Sequence, residues 1–363
     1  MKKVFVFLLF TLMLASCNPP EPEVIVDNTE EVIVEVSQVA DSQIEIIAEN
    51  LNTPWSIEKL NDTFYISERS GTIAKVENGQ VVRQQVELEK ELSQVAEAGL
   101  LGFVLAPNFT QTNRAYAYYT YQDNSGQYNR ITTLILDNDI WKEERVLLDK
   151  IPSGNFHHGG RLKIGHDGKL YATIGDASQS PLSQNLSSLA GKIVRLNLDG
   201  TVPSDNPIQN SYVYSFGHRN PQGMTWAPNG TMYASEHGNS ANDEINKIEP
   251  GLNYGWRIIE GLEEREGMET PIFTSGNDNT WAPSGIAFYN GKLYVAALRG
   301  NAVLEFNLET GEQRELITSL GRIRDVLIEG DTLYFVSNNT DGRGNPQAND
   351  DKLYKISLSA ISN

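Results

Sequence analysis

The chain has 363 residues, 47 acidic against 29 basic for a formal charge of −18, with 39% apolar and 21% charged residues. That length suits one large domain or two ordinary ones, and the apolar fraction excludes wholesale disorder. The acidity argues against a nucleic-acid partner, because counterion release needs a basic surface. One cysteine excludes an intrachain disulfide and a multi-thiolate zinc site, while 30 Gly, 15 Pro and 15 Tyr point to short strands and turns.

The chain opens with Lys2 and Lys3 ahead of an apolar run from Val4 to Ala15. Such a run is too short for a bilayer, which takes roughly 20 residues, but suits the core of an export signal. It ends in Leu14-Ala15-Ser16-Cys17, which resembles the lipobox of bacterial lipoproteins. The resemblance implies cleavage before Cys17 and a lipid on its sulfur, hence an exported cell-envelope lipoprotein touching the membrane only through that lipid. From Asn18 to Ser42 there are seven acidic residues and no Lys or Arg, after an opening Pro-Pro pair. This reads as a solvated tether, with Val24–Val26 and Val32–Val36 as local strands. The expected organisation is signal 1–16, tether 17–42 and folded domain 43–363.

Within that domain a short apolar strand containing Tyr recurs six times: at Phe64-Tyr65, Ala115-Tyr116, Leu170-Tyr171, Met232-Tyr233, Leu293-Tyr294 and Leu333-Tyr334. Turns such as His166-Asp167-Gly168 and Tyr289-Asn290-Gly291 precede most of them. An apolar strand lies upstream of each turn (Gly223–Trp226, Arg324–Ile328), and another lies downstream (Thr72–Val76, Ala302–Leu308). Units 40 to 62 residues apart, with no long 3.6-residue periodicity between them, predict an all-β fold, a six-bladed β-propeller of four-stranded antiparallel blades.

The phase of the repeat locates a functional face. In a meander, residues just before the first strand and just after the second gather at the same rim. Glu97, His157, Arg219-Asn220, Trp281 and Arg322/Arg324 stand at the first phase. Arg69, Asp176, His237-Gly238, Arg299 and Asn338-Asn339 stand at the second. Arginines converging on one channel call for an anionic ligand such as a polycarboxylate or phosphate. His157 stands where a general base can reach a bound substrate, and Asp176 is placed to orient its imidazole. His158, its neighbour on an extended segment, is expected to face away and to be dispensable. A transition-metal site from His157, His158, His218 and His237 is disfavoured, as no pair has i, i+4 spacing. Trp281, Trp55 and Trp256 read as stacking platforms, with core packing an equal alternative for Trp55 and Trp256, and Asp341–Pro346 reads as a plain loop.

Glu97-Ala98-Gly99-Leu100-Leu101-Gly102, His157-His158-Gly159-Gly160-Arg161-Leu162, Gly217-His218-Arg219-Asn220-Pro221-Gln222-Gly223, Asp243-Glu244-Ile245-Asn246, Asn253-Tyr254-Gly255-Trp256 and Arg322-Ile323-Arg324-Asp325-Val326 occur in this order. The series resembles the soluble quinoprotein glucose/aldose sugar dehydrogenases, from about Gln43 to Ile356. The resemblance implies the cofactor pyrroloquinoline quinone (PQQ), a planar tricarboxylate, together with Ca²⁺. It implies that Arg219, Arg322 and Arg324 bind the cofactor with Asn220 beside them, at a site that also includes Glu97 and Arg299. His157 would take the proton of an aldose's anomeric hydroxyl, with Asp176 and Arg219 in support. The carbonyls of Gly238 and Asn239 would hold a catalytic calcium, and Glu244 with the Tyr254 carbonyl a structural one. An external electron acceptor completes the set of partners.

The chain departs from the pattern in four places. Glu97 replaces a Gln, Arg299 a Lys, Asn239 a Pro, and Arg265 stands where some relatives carry a Tyr. Two other readings remain open on the same fold: a calcium-dependent propeller lactonase, and a carbohydrate- or protein-binding propeller without redox chemistry. The arginine set favours the dehydrogenase, since a lactonase has no need of three cationic arms.

Overall fold

Each Tyr-containing run is the second strand of a four-stranded antiparallel sheet in the computed structural model, which describes residues 43–361. The export-signal and tether readings lie outside the described residues. Blade 1 comprises Pro54–Leu60, Thr63–Glu68, Thr72–Glu77 and Gln80–Glu87, and blade 2 Leu100–Leu105, Arg114–Asp123, Gly126–Asp137 and Ile140–Pro152. Blade 3 runs through Leu162–Ile164, Leu170–Ile174, Lys192–Leu196 and Val213–Phe216. Blade 4 runs through Pro221–Trp226, Met232–Glu236, Glu244–Ile248 and Phe273–Thr274. Blade 5 is Pro283–Tyr289, Lys292–Ala297, Ala302–Asn307 and Gln313–Ile317. Blade 6 takes Ile323–Glu329, Thr332–Ser337 and Leu353–Ser357, and borrows its fourth strand, Glu45–Ala48, from the start of the domain. This is the expected six-bladed propeller.

Local chemistry explains the repeat. The second strands are apolar on both faces because neighbouring blades cover them: all five residues of Leu170–Ile174 are buried. Asn290-Gly291, with φ of 46° and 76°, supplies the paired positive φ that a tight hairpin turn requires. The outer strands are more polar and partly exposed, as in Gln80–Glu87. Blades 1 and 2 are also joined at their outer edges, where Val86 pairs in parallel with Trp141.

Register irregularities recur near the start of the inner strand. They fall between Pro54 and Ser56, Leu100 and Phe103, Pro221 and Gly223, Pro283 and Ile286, and Ile323 and Asp325. A bulge leaves an extra residue unpaired and re-aims its side chain. Those extra residues include Trp55, Leu101, Gln222 and Arg324, and all four line the same cavity at the channel mouth.

Because Glu45 pairs with Lys355 and Ala48 with Leu353, the ring is closed by hydrogen bonds between its two ends. A chain starting at Gln43 is expected to fold as the ring does. One starting at Leu51 leaves Leu353–Ser357 as a bare edge and should melt about 5 °C lower or more, with increased aggregation. Equal melting curves for the two would show that this strand does not close the ring.

Candidate active site

The inner-strand bulges and the loops before and after the first two strands of each blade enclose a cavity of about 290 Å³. Both sequence phases meet there: Glu97, His157, Arg219, Asn220, Arg322 and Arg324 from one, and Arg69, His237, Gly238 and Arg299 from the other. Asn239 lines it too. A second cavity of about 390 Å³ adjoins it and shares His157, Arg219 and Asn239; it adds Asp176, Trp256, Arg257 and Glu260.

His157 sits in the left-handed region at φ 64°, so the segment kinks here instead of running extended. Such a conformation costs of order 1–3 kcal/mol and persists only where the surroundings enforce it. They do: a Cβ on Gly175 would lie 2.0 Å from the His157 carbonyl, so only glycine permits this approach. The ring Nδ1 meets Asp176 Oδ1 at 2.8 Å, and the imidazole remains 20% exposed above a carboxylate only 1% exposed. Asp176 Oδ1 also accepts from the Ser178 amide at 2.8 Å, and Oδ2 accepts from the Trp256 indole at 2.8 Å.

His158 is held in the protein interior, which the sequence does not indicate. It turns inward, 2% exposed, with Nδ1 2.9 Å from Ser153 Oγ and Nε2 3.2 Å from the Ala96 carbonyl. Burial pushes its basicity down, so it is a structural histidine. His218 is structural as well: fully buried, it contacts Glu236 and Ser215 at 2.8 Å each and stacks on Tyr254 at 4.8 Å. Among the described residues no group of three or more His, Cys, Asp or Glu gathers as a metal cage.

Six arginines border the mouth, counting Arg343, against Glu97, Asp243 and Asp341. Arg324 donates from Nη1 to Gln222 at 2.9 Å, and with its oxygen turned toward the guanidinium the Asn338 amide would accept two more bonds at 2.9 Å. Burial, with the charges of Arg322 and Arg69 adding to it, pushes the Arg324 guanidinium down to about 9. A buried cation so crowded by its own kind is poised for an anion. One further donor, Arg219 Nε, and one ring nitrogen, His237 Nε2, are buried without any partner. Loss of solvation, then the nearby Arg219 and Arg324, hold His237 at about 4. Orphaned nitrogens and surplus arginines in a polar cavity fit a planar polycarboxylate such as PQQ.

The segment read as a plain loop contributes two of these charges. Asp341 Oδ2 accepts from Arg322 Nη2 at 2.8 Å and lies 3.9 Å from Arg324. Arg343 Nη1 binds Glu97 at 2.6 Å, and its guanidinium sits 5.7 Å from the Phe156 ring. Burial works against Glu97's ionisation, yet Arg343 and then His237 outweigh it and hold the carboxyl at about 2. The negative charge that Glu97 brings is therefore neutralised within the site. Arg299, by contrast, makes no ion pair among the described residues.

The tryptophans divide otherwise than their loops suggest. Trp281 is core, edge-to-face with Phe306 at 5.3 Å, and its amide serves Asp243. Trp55 walls the mouth between Arg161 and Arg324, at 4.3 and 5.9 Å from its ring. Asp243 organises the loops of blades 4 and 5, accepting from Gly238 and Ala282 amides at 2.8 Å each. Asn220, 1% exposed, accepts from the Gly159 amide at 3.0 Å and so braces the histidine segment.

For calcium, Gly238 and Asn239 both line the mouth, and the Asn239 carbonyl accepts from Arg219 Nη2 at 3.4 Å. Two carbonyls are an incomplete set, so the remaining oxygens would come from cofactor and water. Glu244 is pushed up to about 8 by loss of solvation and then by the charge of Glu236. Nearby, Asn246 Oδ1 is buried without a partner. Tyr254, through His218, packs toward the same Glu236. Crowded oxygens of this kind suit a hard cation.

Residues 51–353 match the glucose/sorbosone dehydrogenase family, and residues 1–18 match the prokaryotic membrane lipoprotein lipid attachment site. The aldose sugar dehydrogenase of Escherichia coli is 30% identical over 339 residues, covering 82% of this chain and 91% of that protein. Quinoprotein glucose dehydrogenase B of Acinetobacter calcoaceticus is 34% identical over 258 residues, covering 61% of this chain and 54% of that protein. The PQQ-bound form of aldose sugar dehydrogenase from Streptomyces coelicolor superposes with a TM-score of 0.81 at 33% identity, covering 86% of this chain and 97% of that structure. With the fold, the charged mouth and the histidine–aspartate pair in agreement, the chain belongs to the glucose/sorbosone dehydrogenase family.

Proposed function

We propose that this protein is a PQQ- and calcium-dependent aldose dehydrogenase that oxidises its substrate at the anomeric carbon to the aldonolactone. The observation that carries the reading is the convergence of six arginines, with orphaned nitrogens on Arg219 and His237, beside a His157–Asp176 pair. PQQ bound there would supply a two-electron acceptor, and calcium held by the Gly238 and Asn239 carbonyls would supply Lewis-acid polarisation. Arg219, Arg299, Arg322 and Arg324, with Asn220 beside them, would hold the cofactor's carboxylates and quinone oxygens.

Asp176 holds Nδ1 of His157, which leaves Nε2 to accept a proton. As the anomeric O–H gives its proton to Nε2, the C1 hydrogen would leave as hydride, taking the C–H electron pair to the two-electron acceptor, while the O–H pair forms the C=O bond. Arg219, shared by both cavities, stabilises the negative charge that grows on that oxygen. The imidazolium is stabilised in turn by Asp176. Glu244 with the Tyr254 carbonyl is the place for a structural calcium. The test is reconstitution with PQQ and Ca²⁺, then an aldose panel with a dye as electron acceptor. Absence of PQQ binding at micromolar concentration would favour the carbohydrate-binding propeller instead.

The N-terminus supports a cell-envelope lipoprotein, with signal 1–16, a Cys17 lipid and an acidic tether to 42. Among the described residues no helix is long and apolar enough to cross a membrane. The proposed anchor is the Cys17 lipid. Cys17→Ser should accumulate as uncleaved precursor or leave the membrane fraction. Unchanged mature mass and unchanged partitioning in that variant would refute the anchor.

A further inference from the structure

We infer that Trp256 is a positioning residue for the His157–Asp176 pair, acting as an insulator between Asp176 and Arg219. The inference rests on His157 being the proton acceptor proposed above. The indole edge donates from Nε1 to Asp176 Oδ2 at 2.8 Å, while the guanidinium of Arg219 lies 5.3 Å from the ring. An aromatic ring is electropositive at its edge and electronegative on its face. Trp256 therefore turns each region of its quadrupole to the matching charge.

Two consequences follow from that placement. A carboxylate turns easily about its terminal torsion, which is broad and two-fold. Asp176 is held because Oδ1 takes His157 Nδ1 and the Ser178 amide while Oδ2 takes the indole, so both oxygens are pinned. Second, the ring keeps the two side chains apart: the Asp176 amide donates to the Arg219 carbonyl at 2.7 Å, yet no ion pair joins their charged groups, although Asp176 acts on Arg219 more strongly than any other carboxylate. A direct Arg219–Asp176 bridge would withdraw the carboxylate from the imidazole and the cation from the substrate.

Trp256 is itself firmly seated. Its amide donates to the Gly217 carbonyl at 2.8 Å, and its carbonyl accepts from Ser183 Oγ at 2.6 Å and Gln184 Nε2 at 2.8 Å. The Ser180–Gln184 turn that supplies those donors is pinned by Lys192, whose buried ammonium donates to the Leu182 and Ser183 carbonyls at 2.9 Å each. The seat comes from blades 3 and 4 together, so it is built before any ligand arrives.

The test is Trp256→Phe, which removes the N–H and keeps a ring under Arg219. In the full chain without PQQ, ¹⁵N-histidine spectra in alkaline buffer should show His157 almost wholly as the Nδ1–H tautomer. In the variant a substantial Nε2–H fraction should appear. With PQQ, calcium and sugar, kcat should fall roughly tenfold with KM little changed, the size expected for one hydrogen bond to a charged group. A folded variant with the wild-type tautomer ratio overturns the inference, and a lower kcat alongside that ratio marks mere loop anchoring. If Trp256→Phe does not fold, Asp176→Asn replaces it. The Trp256 indole N–H signal should then shift upfield, and an unmoved signal overturns the inference. The tautomer measurement needs no turnover, so failure of the dehydrogenase reading and failure of this inference are separately visible.

Discussion

His157→Gln is expected to retain PQQ and calcium binding while losing about 10²–10⁴-fold in kcat, the range that general-base catalysis contributes. Gln fills similar space but cannot take a proton, so binding and chemistry separate cleanly. Asp176→Asn should lose less, because the ring survives and only its tautomer is set free. His158 provides the comparison. His158→Ala removes a buried ring with two polar contacts and should cost about 1–3 kcal/mol of stability, with kcat per folded molecule near wild type. Equal kcat losses at the two histidines, or full activity in His157→Gln, would assign the base elsewhere.

The second large effect concerns cofactor affinity. Arg322→Ala and Arg324→Ala should each weaken PQQ binding roughly ten- to a hundredfold, since a charged hydrogen bond contributes about 1.5–3 kcal/mol. The structure separates the two by their cost to the fold. Removing Arg324 strands Gln222 and Asn338, so its variant should also melt lower. Removing Arg322 leaves Asp341 with only the more distant Arg324, 3.9 Å away, as its counter-charge. Arg299, without an ion pair, is the cleanest probe: Arg299→Ala should weaken PQQ without moving the melting temperature. Calorimetry showing unchanged affinity in all three would show that the arginines serve the fold alone.

Much of this was legible in the sequence because a propeller writes its geometry as a period. The six Tyr-containing strands and the two polar phases beside them are repeated, and repetition fixes which residues share a rim. What repetition does not encode was lost. The bulges that swing Trp55, Gln222 and Arg324 into the mouth change pairing, not residue type. The left-handed kink at His157 sends His158 inward, which an extended segment would not require. Asp341 and Arg343 belong to a loop after the last second strand, and their partners Arg322 and Glu97 lie 19 and 246 positions away. Trp256 lies in a long loop inside blade 4, and only the folded chain shows that it reaches Asp176. The fourth strand of blade 6 comes from the opposite end of the domain and carries no copy of the repeat.

That closing strand sets an order of assembly. Glu45 and its partner Lys355 stand about 310 residues apart, so their ladder is the most non-local in the ring and costs the most chain entropy to form. A chain emerging N-terminus first, from a ribosome or through a membrane pore, presents Glu45–Ala48 long before Leu353–Ser357 exists. Throughout that interval Ile44, Ile46 and Ile47 form an unpaired apolar edge, the kind of segment that recruits other chains. The seven acidic residues between Asn18 and Ser42 stand directly upstream of it. Charges flanking a sticky strand act as gatekeepers, so the acidic stretch would guard the nascent chain until its last blade arrives to take the strand in.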